Sequence, residues 1–433
     1  MRMRGGQILL CAVLLLAAAG LGFLLWRYFG KGRFLKNGRV SGVPERIERS
    51  FAEAMADGVL SDEDIAFHYA PEVDAAVNTM ISCGGRGDFV AAVNYDGDWA
   101  SDNNWLGVKT HPLKAVVYWT VQRTETHYLV GYYFYHPRDD AEFAFDRHEN
   151  DLEGIMIAAP IIENGFAAPV VMYTEGHGGV PYFFEPPLSI RPGSHHDGGL
   201  LLDGDRPVIY ITPNGILRYC GHSIESAKDH TTYAYVGNSG VHYYHGGVAE
   251  EPATYKGPYQ NNRCSYELRS LREVYERRNG PWGDGCTFGS YGAFRGNRFG
   301  RDRANPPWNW QNKTSPYKLR GSFLTDPAWT IARAVDGLTD FSETYTDNRW
   351  ADWKLTVQSA DRADVDLVLY KDGEAVSGPD WLTVSDDGAI RLIGGRTVLW
   401  AAGPKDTVWE LKAFDKAGNP AACRIDWHAE YCG

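Results

Sequence analysis

The stretch GYYFYHPRDDAEFAFDRHENDLEG, residues 131–154, decides both the predicted fold and the candidate site of this chain. An aromatic run typical of a β-strand leads into a Pro turn, and a short loop then returns to a second apolar run. Asp151 and Glu153 lie two residues apart at the start of that second run. On a strand, such a pair points to the same side of the sheet.

A divalent metal site is the chemistry that these residues favour. His148 precedes Asp151 and Glu153, and an aspartate at the end of the first run could complete the group, either Asp140 or, as the alternate, Asp139. Carboxylate oxygens suit calcium, magnesium or manganese, whereas zinc prefers more nitrogen or sulfur. The competing interpretation is a solvated polar loop, because this spacing also arises by chance.

The pattern of an aromatic strand, Pro-basic-Asp and His-x-x-Asp-x-Glu resembles the necrosis-inducing, or Nep-like, cytolysins and the related vacuolar-protein-sorting-type proteins. Their signatures are Gly-His-Arg-His-Asp-Trp-Glu and His-x-Gly-Asp-Trp-Glu. The resemblance implies a divalent metal bound by His148, Asp151, Glu153 and an upstream aspartate. Only Asp140 keeps the family's spacing to the histidine, and Asp139 is the alternate.

Two later segments extend the resemblance over roughly residues 62–325. The turn that contains His177-Gly-Gly resembles the families' His-Gly-Gly turn, and Arg206–Ile211 resembles their Pro-Val-Val-Tyr-Val strand. The chain departs from the signature at Leu152, which replaces its Trp, and at Glu149-Asn150, which replace its inner Arg-His. Because the ligand positions survive better than their surroundings, the resemblance favours metal binding and puts toxin activity in doubt.

The N-terminal segment, residues 1–39, predicts a membrane anchor. It holds seven Arg or Lys and no acid, and its apolar run Ile8–Trp26 is long enough to cross a bilayer at about 1.5 Å per residue. A cleavable signal peptide is the alternative, since Ala17-Ala-Ala-Gly20 resembles a processing site. The run continues through Trp26, which favours an uncleaved anchor.

Charge and cysteines give opposing indications about the compartment. Positive charges flank both ends of the apolar run, and those that follow it would keep the body in the cytoplasm. Six cysteines outside the anchor, without Cys-x-x-Cys spacing, favour an oxidising compartment and predict a periplasmic or extracellular body. Proximity in sequence suggests disulfides between Cys264 and Cys286 and between Cys423 and Cys432.

The rest of the chain predicts a mainly β protein. Apolar runs separated by turn residues predict strands at 113–122, 128–136, 152–162, 168–174, 207–212, 231–236 and 240–244. Short loops between them predict antiparallel pairing and a β-sandwich with peripheral helices, among them a helix at residues 265–279. The sequence thus divides into the anchor at 1–39, a helical linker at 40–61, a metal-site sandwich at 62–325 and an immunoglobulin-like sandwich at 326–433.

The functional hypothesis is a membrane-anchored, extracytoplasmic protein whose metal binds a glycan, a polyol or a lipid headgroup. The net charge of −12 excludes nucleic acid as a partner, because an acidic body repels phosphate backbones. One alternative is a metal-dependent hydrolase, with His148 or His177 as general acid or base; another is a structural or trafficking envelope protein with a purely structural metal. Neither Gly-x-Ser-x-Gly nor His-Glu-x-x-His occurs, which favours binding over catalysis.

Overall fold

The protein is mainly β in a computed structural model. The described residues are 47–81, 83–100, 102–140, 147–175, 181–184, 188–190, 195–196, 199–215, 221–226, 239–253, 262–278, 294, 305–310, 319–378, 381–392 and 395–433. The predicted anchor Ile8–Trp26 and the predicted strand 231–236 lie outside them. No helix within the described ranges combines the length with the apolar composition that a membrane crossing requires.

Short helices accompany many strands. The helices are α1 (Phe51–Ala54), α2 (Asp62–His68), α3 (Asn104–Thr110), α4 (Arg272–Tyr275), α5 (Ser322–Thr325) and α6 (Pro327–Ala334), with 3-10 turns at Arg86–Asp88 and Pro307–Asn309. The first fourteen strands are β1 (Glu72–Val77), β2 (Val116–Thr124), β3 (His127–Asp139), β4 (His148–Ile162), β5 (Gly165–Phe166), β6 (Val171–Glu175), β7 (Pro181–Phe184), β8 (Ser189–Ile190), β9 (His195–His196), β10 (Leu202–Asp203), β11 (Arg206–Ile211), β12 (Ile224–Ser226), β13 (Ser239–His245) and β14 (Arg263–Ser270). The remaining strands are β15 (Val335–Asp336), β16 (Tyr345–Asp347), β17 (Trp353–Ala360), β18 (Asp366–Lys371), β19 (Glu374–Ala375), β20 (Leu382–Val384), β21 (Ile390–Leu392), β22 (Val398–Ala401), β23 (Trp409–Phe414) and β24 (Ile425–Tyr431).

The aromatic strand β3 lies inside a 14-stranded sheet, between β2 and β4. Both of its faces are buried, because Tyr132 donates a hydrogen bond to the carbonyl of Ala66 in α2 while Tyr133 contacts Trp310 and Phe323. A strand covered on both faces reads as a continuous apolar run, without alternation. This explains why residues 131–135 signalled a strand so clearly, and it places the site hairpin β3–β4 on a rigid support.

The large sheet is mixed, so the prediction of purely antiparallel pairing is wrong. Strands β2, β3, β4, β6 and β7 do pair antiparallel in succession, as the short loops predicted. Parallel pairs join β1 to β11, β13 to β14, β14 to β2 and β7 to β9. Parallel partners can lie far apart in sequence, with Glu267 of β14 opposite Val116 of β2, and short loops carry no information about such a pair.

The predicted helix at residues 265–279 is also wrong over its first half. Residues 263–270 form strand β14, and only Arg272–Tyr275 is helical. Cys264 and Tyr266 are buried on the strand, while Leu271 and Tyr275 are buried beyond it, so the spacing that indicated a helix combines two elements. Hydrogen-bond partners on both edges, β13 and β2, outweigh helical propensity.

The C-terminal strands enclose a second core. Two three-stranded sheets, β22-β17-β24 and β19-β18-β23, contribute Leu355, Leu399, Leu367 and Leu411 to it. Short alternating runs at 353–358, 366–370, 381–385, 389–392 and 408–414 predict strands, and β17, β18, β20, β21 and β23 confirm them. The immunoglobulin likeness and the domain boundaries stay predictions, and β16, which follows the predicted boundary at 326, pairs with β2 of the large sheet.

The predicted disulfide between Cys423 and Cys432 is wrong, because both cysteines are free. They flank the extended strand β24, and seven strand residues at about 3.3 Å each hold the two far beyond bonding distance. Cys264 is free and buried, and its predicted partner Cys286 lies outside the described residues.

Candidate functional site

The site hairpin carries the predicted residues near the end at which β3 leads into β4. The register of β3 and β4 sets Asp139 opposite His148, and it sets His136 opposite Asp151. Directly opposite residues on an antiparallel pair share one face and lie about 5 Å apart. Glu153 follows two positions later, and all five of these side chains are buried.

A left-handed residue interrupts strand β4 within the motif. Asn150 has a φ of 62°, which asparagine tolerates better than most residues. Its carbonyl oxygen lies 3.1 Å from Nδ1 of His148. Since a carbonyl can only accept, Nδ1 carries the proton, and the other nitrogen, Nε2, faces Oδ2 of Asp139 at 3.4 Å.

The structure separates the roles of the two candidate aspartates. Asp140, which the motif spacing favoured, accepts a hydrogen bond from the guanidinium of Arg138 at 2.6 Å, and its backbone N–H donates to Asn214. Asp139, the alternate, is the one of the two that faces His148. The structure therefore favours Asp139 as the partner of the histidine and leaves Asp140 beside a cation.

The sequence did not identify His222, which joins the site from the segment between β11 and β12. Its Nδ1 donates to Oδ2 of Asp151 at 2.7 Å, and its Nε2 lies 3.3 Å from Oδ1 of Asp88. Burial alone would lower the pKa of His222, but the bonds to Asp151 and Asp88 outweigh it and raise the pKa to about 10. His222 is therefore an imidazolium that links the site hairpin to the 3-10 turn Arg86–Asp88.

A second unpredicted histidine lies against the first. The rings of His136 and His222 stack with centroids 3.8 Å apart and planes 5° from parallel. Burial lowers the pKa of His136 well below its usual value, and the charge of His222 lowers it further. The stack therefore pairs a neutral imidazole with a charged one, which avoids placing two buried cations in contact.

The named side chains carry more negative than positive formal charge. Five carboxyl groups are buried, those of Asp88, Asp139, Asp140, Asp151 and Glu153, and the cations that contact them include Arg138 and His222. One further feature is that Oδ2 of Asp140 is buried without a hydrogen-bond partner among the described residues. Buried negative charge is costly unless a cation balances it.

A divalent ion fits this donor set in part. Ligand atoms about 2.1–2.4 Å from one ion lie about 3 Å apart, close to the 3.4 Å between Nε2 of His148 and Oδ2 of Asp139. Over the described part of the chain, however, no three His, Cys, Asp or Glu side chains are arranged to hold a metal ion. Residues 141–146 and the turn with His177 lie outside that part, and the predicted ion stays a prediction.

The comparisons with known proteins are distant. No protein-family model and no curated protein matches the sequence. Similar solved structures include "Toxin fold for microbial attack and plant defense", at 13% identity and a TM-score of 0.28 over 52% of this chain and 82% of the other. Others are "NLPPya in complex with glucosamine", at 12% identity, a TM-score of 0.27 and coverage of 52% and 81%, and the "non-toxic HaNLP3 protein", at 11%, 0.27, 57% and 91%. These TM-scores are too low to establish a shared fold or a shared ligand.

Proposed function

We propose that the site hairpin binds a divalent cation, calcium, magnesium or manganese, through Asp139, His148, Asp151 and Glu153. The observation that carries this proposal is the buried group of carboxylates around the paired positions Asp139–His148 and His136–Asp151. A bound cation would counter part of the negative charge of these carboxylates. His222 supports the site, because its bond to Oδ2 orients the carboxylate of Asp151.

The proposed activity is binding of a hydroxyl-rich or phosphate-bearing ligand at the cation. A hard cation with open coordination positions binds vicinal hydroxyls or phosphate oxygens directly, which suits a glycan, a polyol or a lipid headgroup. The proposed location is outside the cytoplasm, with Ile8–Trp26 as the anchor that keeps the body near its own membrane. The acidic net charge is consistent with a cation as the first partner.

The first test of this proposal is calorimetric titration of the purified full-length protein in detergent with calcium, magnesium and manganese. We expect Asp151→Asn to abolish binding, because it removes a ligand charge and weakens the bond to His222. Asp74→Asn is the matched control, since Asp74 is another buried carboxylate that bonds a histidine, on β1. Unchanged affinity in Asp151→Asn, or no binding by the wild type, contradicts the proposal.

A second measurement separates binding from catalysis. Glycan and lipid arrays should retain the wild-type protein when manganese is present, and a chelator that removes the manganese should release it. Metal-dependent turnover of ester or phosphodiester substrates that is lost in Asp151→Asn would replace the binding function with hydrolysis. Metal binding without any retained ligand would leave a structural ion as the function of the site.

A further inference from the structure

Asn150 departs from the strand pattern in its backbone and from the resembling motif in its residue type. Hydrogen bonds from two neighbouring side chains hold its side chain. Asn150 is fully buried as the third residue of β4, although its backbone is left-handed. A left-handed residue between His148 and Asp151 changes the local course of the strand, although the register with β3 is the same on both sides of it. The backbone at Asn150 therefore decides how these two side chains are presented.

The carbonyl of Asn150 also determines which nitrogen of His148 carries the proton. Its oxygen accepts from Nδ1 at 3.1 Å, with the carbonyl of Glu149 at 3.3 Å as a second acceptor. In a neutral imidazole with Nδ1 protonated, Nε2 keeps its lone pair. That nitrogen is the one directed at Asp139.

The side chains of Glu149 and Asn150 hold the start of α3. Oδ1 of Asn150 accepts from Tyr135 Oη at 2.6 Å and from Nδ2 of Asn104 at 2.9 Å. The neighbouring Glu149 accepts from the backbone N–H of Trp105 at 3.0 Å through Oε1. Two consecutive residues of β4 thus bind two consecutive residues of α3.

Arg138 adds a third attachment between the hairpin and α3. Its guanidinium lies over the ring of Trp105, 4.2 Å from the centroid, while it bonds Asp140. The first turn of α3 is therefore fastened to both strands of the hairpin. It also carries Leu106, which is 71% exposed.

We propose that Asn150 is a positioning residue that sets the metal-binding nitrogen of His148 and couples the site to α3. Its backbone orients the histidine, and its side chain ties that backbone to Asn104 and Tyr135. Binding of a cation at the hairpin therefore stabilises the first turn of α3, and loosening of α3 weakens the binding of the cation. This inference rests on the proposed function, since it concerns the same ion.

The test measures manganese affinity by calorimetry and the amide exchange of α3 by mass spectrometry, in the full-length protein. Asn150→Gly keeps the left-handed backbone but removes the side chain, so we expect affinity to fall about tenfold and α3 to exchange faster. Asn104→Ala removes the same bond from the other side and should act alike. The double variant should lose less affinity than the two single losses added together, because the bond between Asn104 and Asn150 is common to both.

Two further variants separate positioning from general destabilisation. Asn164→Gly is the matched control, since Asn164 is left-handed too, with a φ of 60°, but lies in the exposed β4–β5 turn. It should leave both readouts unchanged. Asn150→Asp keeps an oxygen acceptor and tolerates the left-handed backbone, and it should retain the slow exchange of α3.

The outcomes distinguish this inference from the proposed function. Failure of the wild type to bind manganese overturns the proposed function and this inference with it. Wild-type binding that Asn150→Gly leaves unchanged overturns the inference alone. Wild-type binding that does not slow exchange in α3 overturns the coupling between the site and the helix.

Discussion

Two histidines in this protein are each held between two carboxylates, and they differ in what surrounds them. His222 bonds Asp151 at 2.7 Å and lies 3.3 Å from Asp88. His242 contacts Asp74 at 2.7 Å and Glu72 at 2.8 Å. The side chain of His222 is fully buried, whereas that of His242 is 18% exposed.

The arrangement around His242 is local. Asp74 lies directly opposite it in the register of β1 and β13, and Glu72 is two residues along the same strand. The arrangement around His222 comes from three separate parts of the chain, and Asp151 belongs to the same motif as His148 and Glu153. The comparison teaches that one chemical unit can join neighbouring strands in one place and, under the proposed function, support a ligand site in another.

Removing the buried imidazolium of His222 should have the largest effect on stability. His222→Gln leaves Asp88 and Asp151 buried with one donor and no compensating charge, so we expect unfolding free energy to fall by about 3 kcal/mol. Manganese binding should weaken as well, because Asp151 loses its orientation. Urea unfolding monitored by tryptophan fluorescence measures the first effect, and a loss below about 1 kcal/mol would contradict the buried imidazolium.

The same change at His242 should cost less. His242→Gln removes two charge-assisted bonds at a partly exposed position, so we expect a loss of about 2 kcal/mol and unchanged manganese affinity. Burial lowers the pKa of His242, but Asp74 and Glu72 outweigh it and raise the pKa to about 9. The stabilisation is therefore complete below about pH 6.5 and is lost as the pH rises through about 9.

Urea unfolding of the wild type and His242→Gln at a series of pH values checks this dependence. The difference in unfolding free energy should shrink from pH 6.5 to above pH 9, where the wild-type imidazolium deprotonates. A difference that stays constant over this interval would contradict the assigned charge of His242. Changed manganese affinity would show that the two regions are coupled.

The smallest expected effect comes from Tyr135, which supports Asn150 in the hairpin through a single hydrogen bond. Tyr135→Phe removes the hydroxyl that donates to Asn150 at 2.6 Å, while Asn104 still donates to the same oxygen. We expect a loss of about 1 kcal/mol in unfolding free energy and a two- to threefold weaker affinity for manganese, as order-of-magnitude figures. Weakening equal to that of Asn150→Gly would assign the positioning to the tyrosine.

The sequence could predict strands that bury both faces or alternate regularly, and β3, β4 and β11 agree with its pattern. It could not predict β14, because that strand pairs parallel on both edges, with β13 and with the distant β2. Local apolar spacing there fits a helix equally well. Pairing partners, which periodicity does not encode, decided the outcome.

The candidate site follows the same division. His148, Asp151 and Glu153 form a local motif on β4, and the register sets each of them opposite a residue of β3. His222 lies 71 residues from Asp151 and 134 from Asp88, outside any periodic element, so spacing gave no signal for it. A local signal was the pair Gly221-His222, a few residues after the predicted strand 207–212.

The parallel pairing of β14 with β2 has a consequence for how the chain folds during its synthesis. Strands β2, β3 and β4 are neighbours in sequence and can pair early. One edge of β2 stays unpaired until residues 267–270 have been synthesised. Closing so long a loop is slow, since its entropy must be lost before any contact compensates for it. In that interval a growing chain displays an unpaired apolar edge, a template for aggregation. Newly synthesised copies therefore need protection from one another until the centre of the sheet is complete.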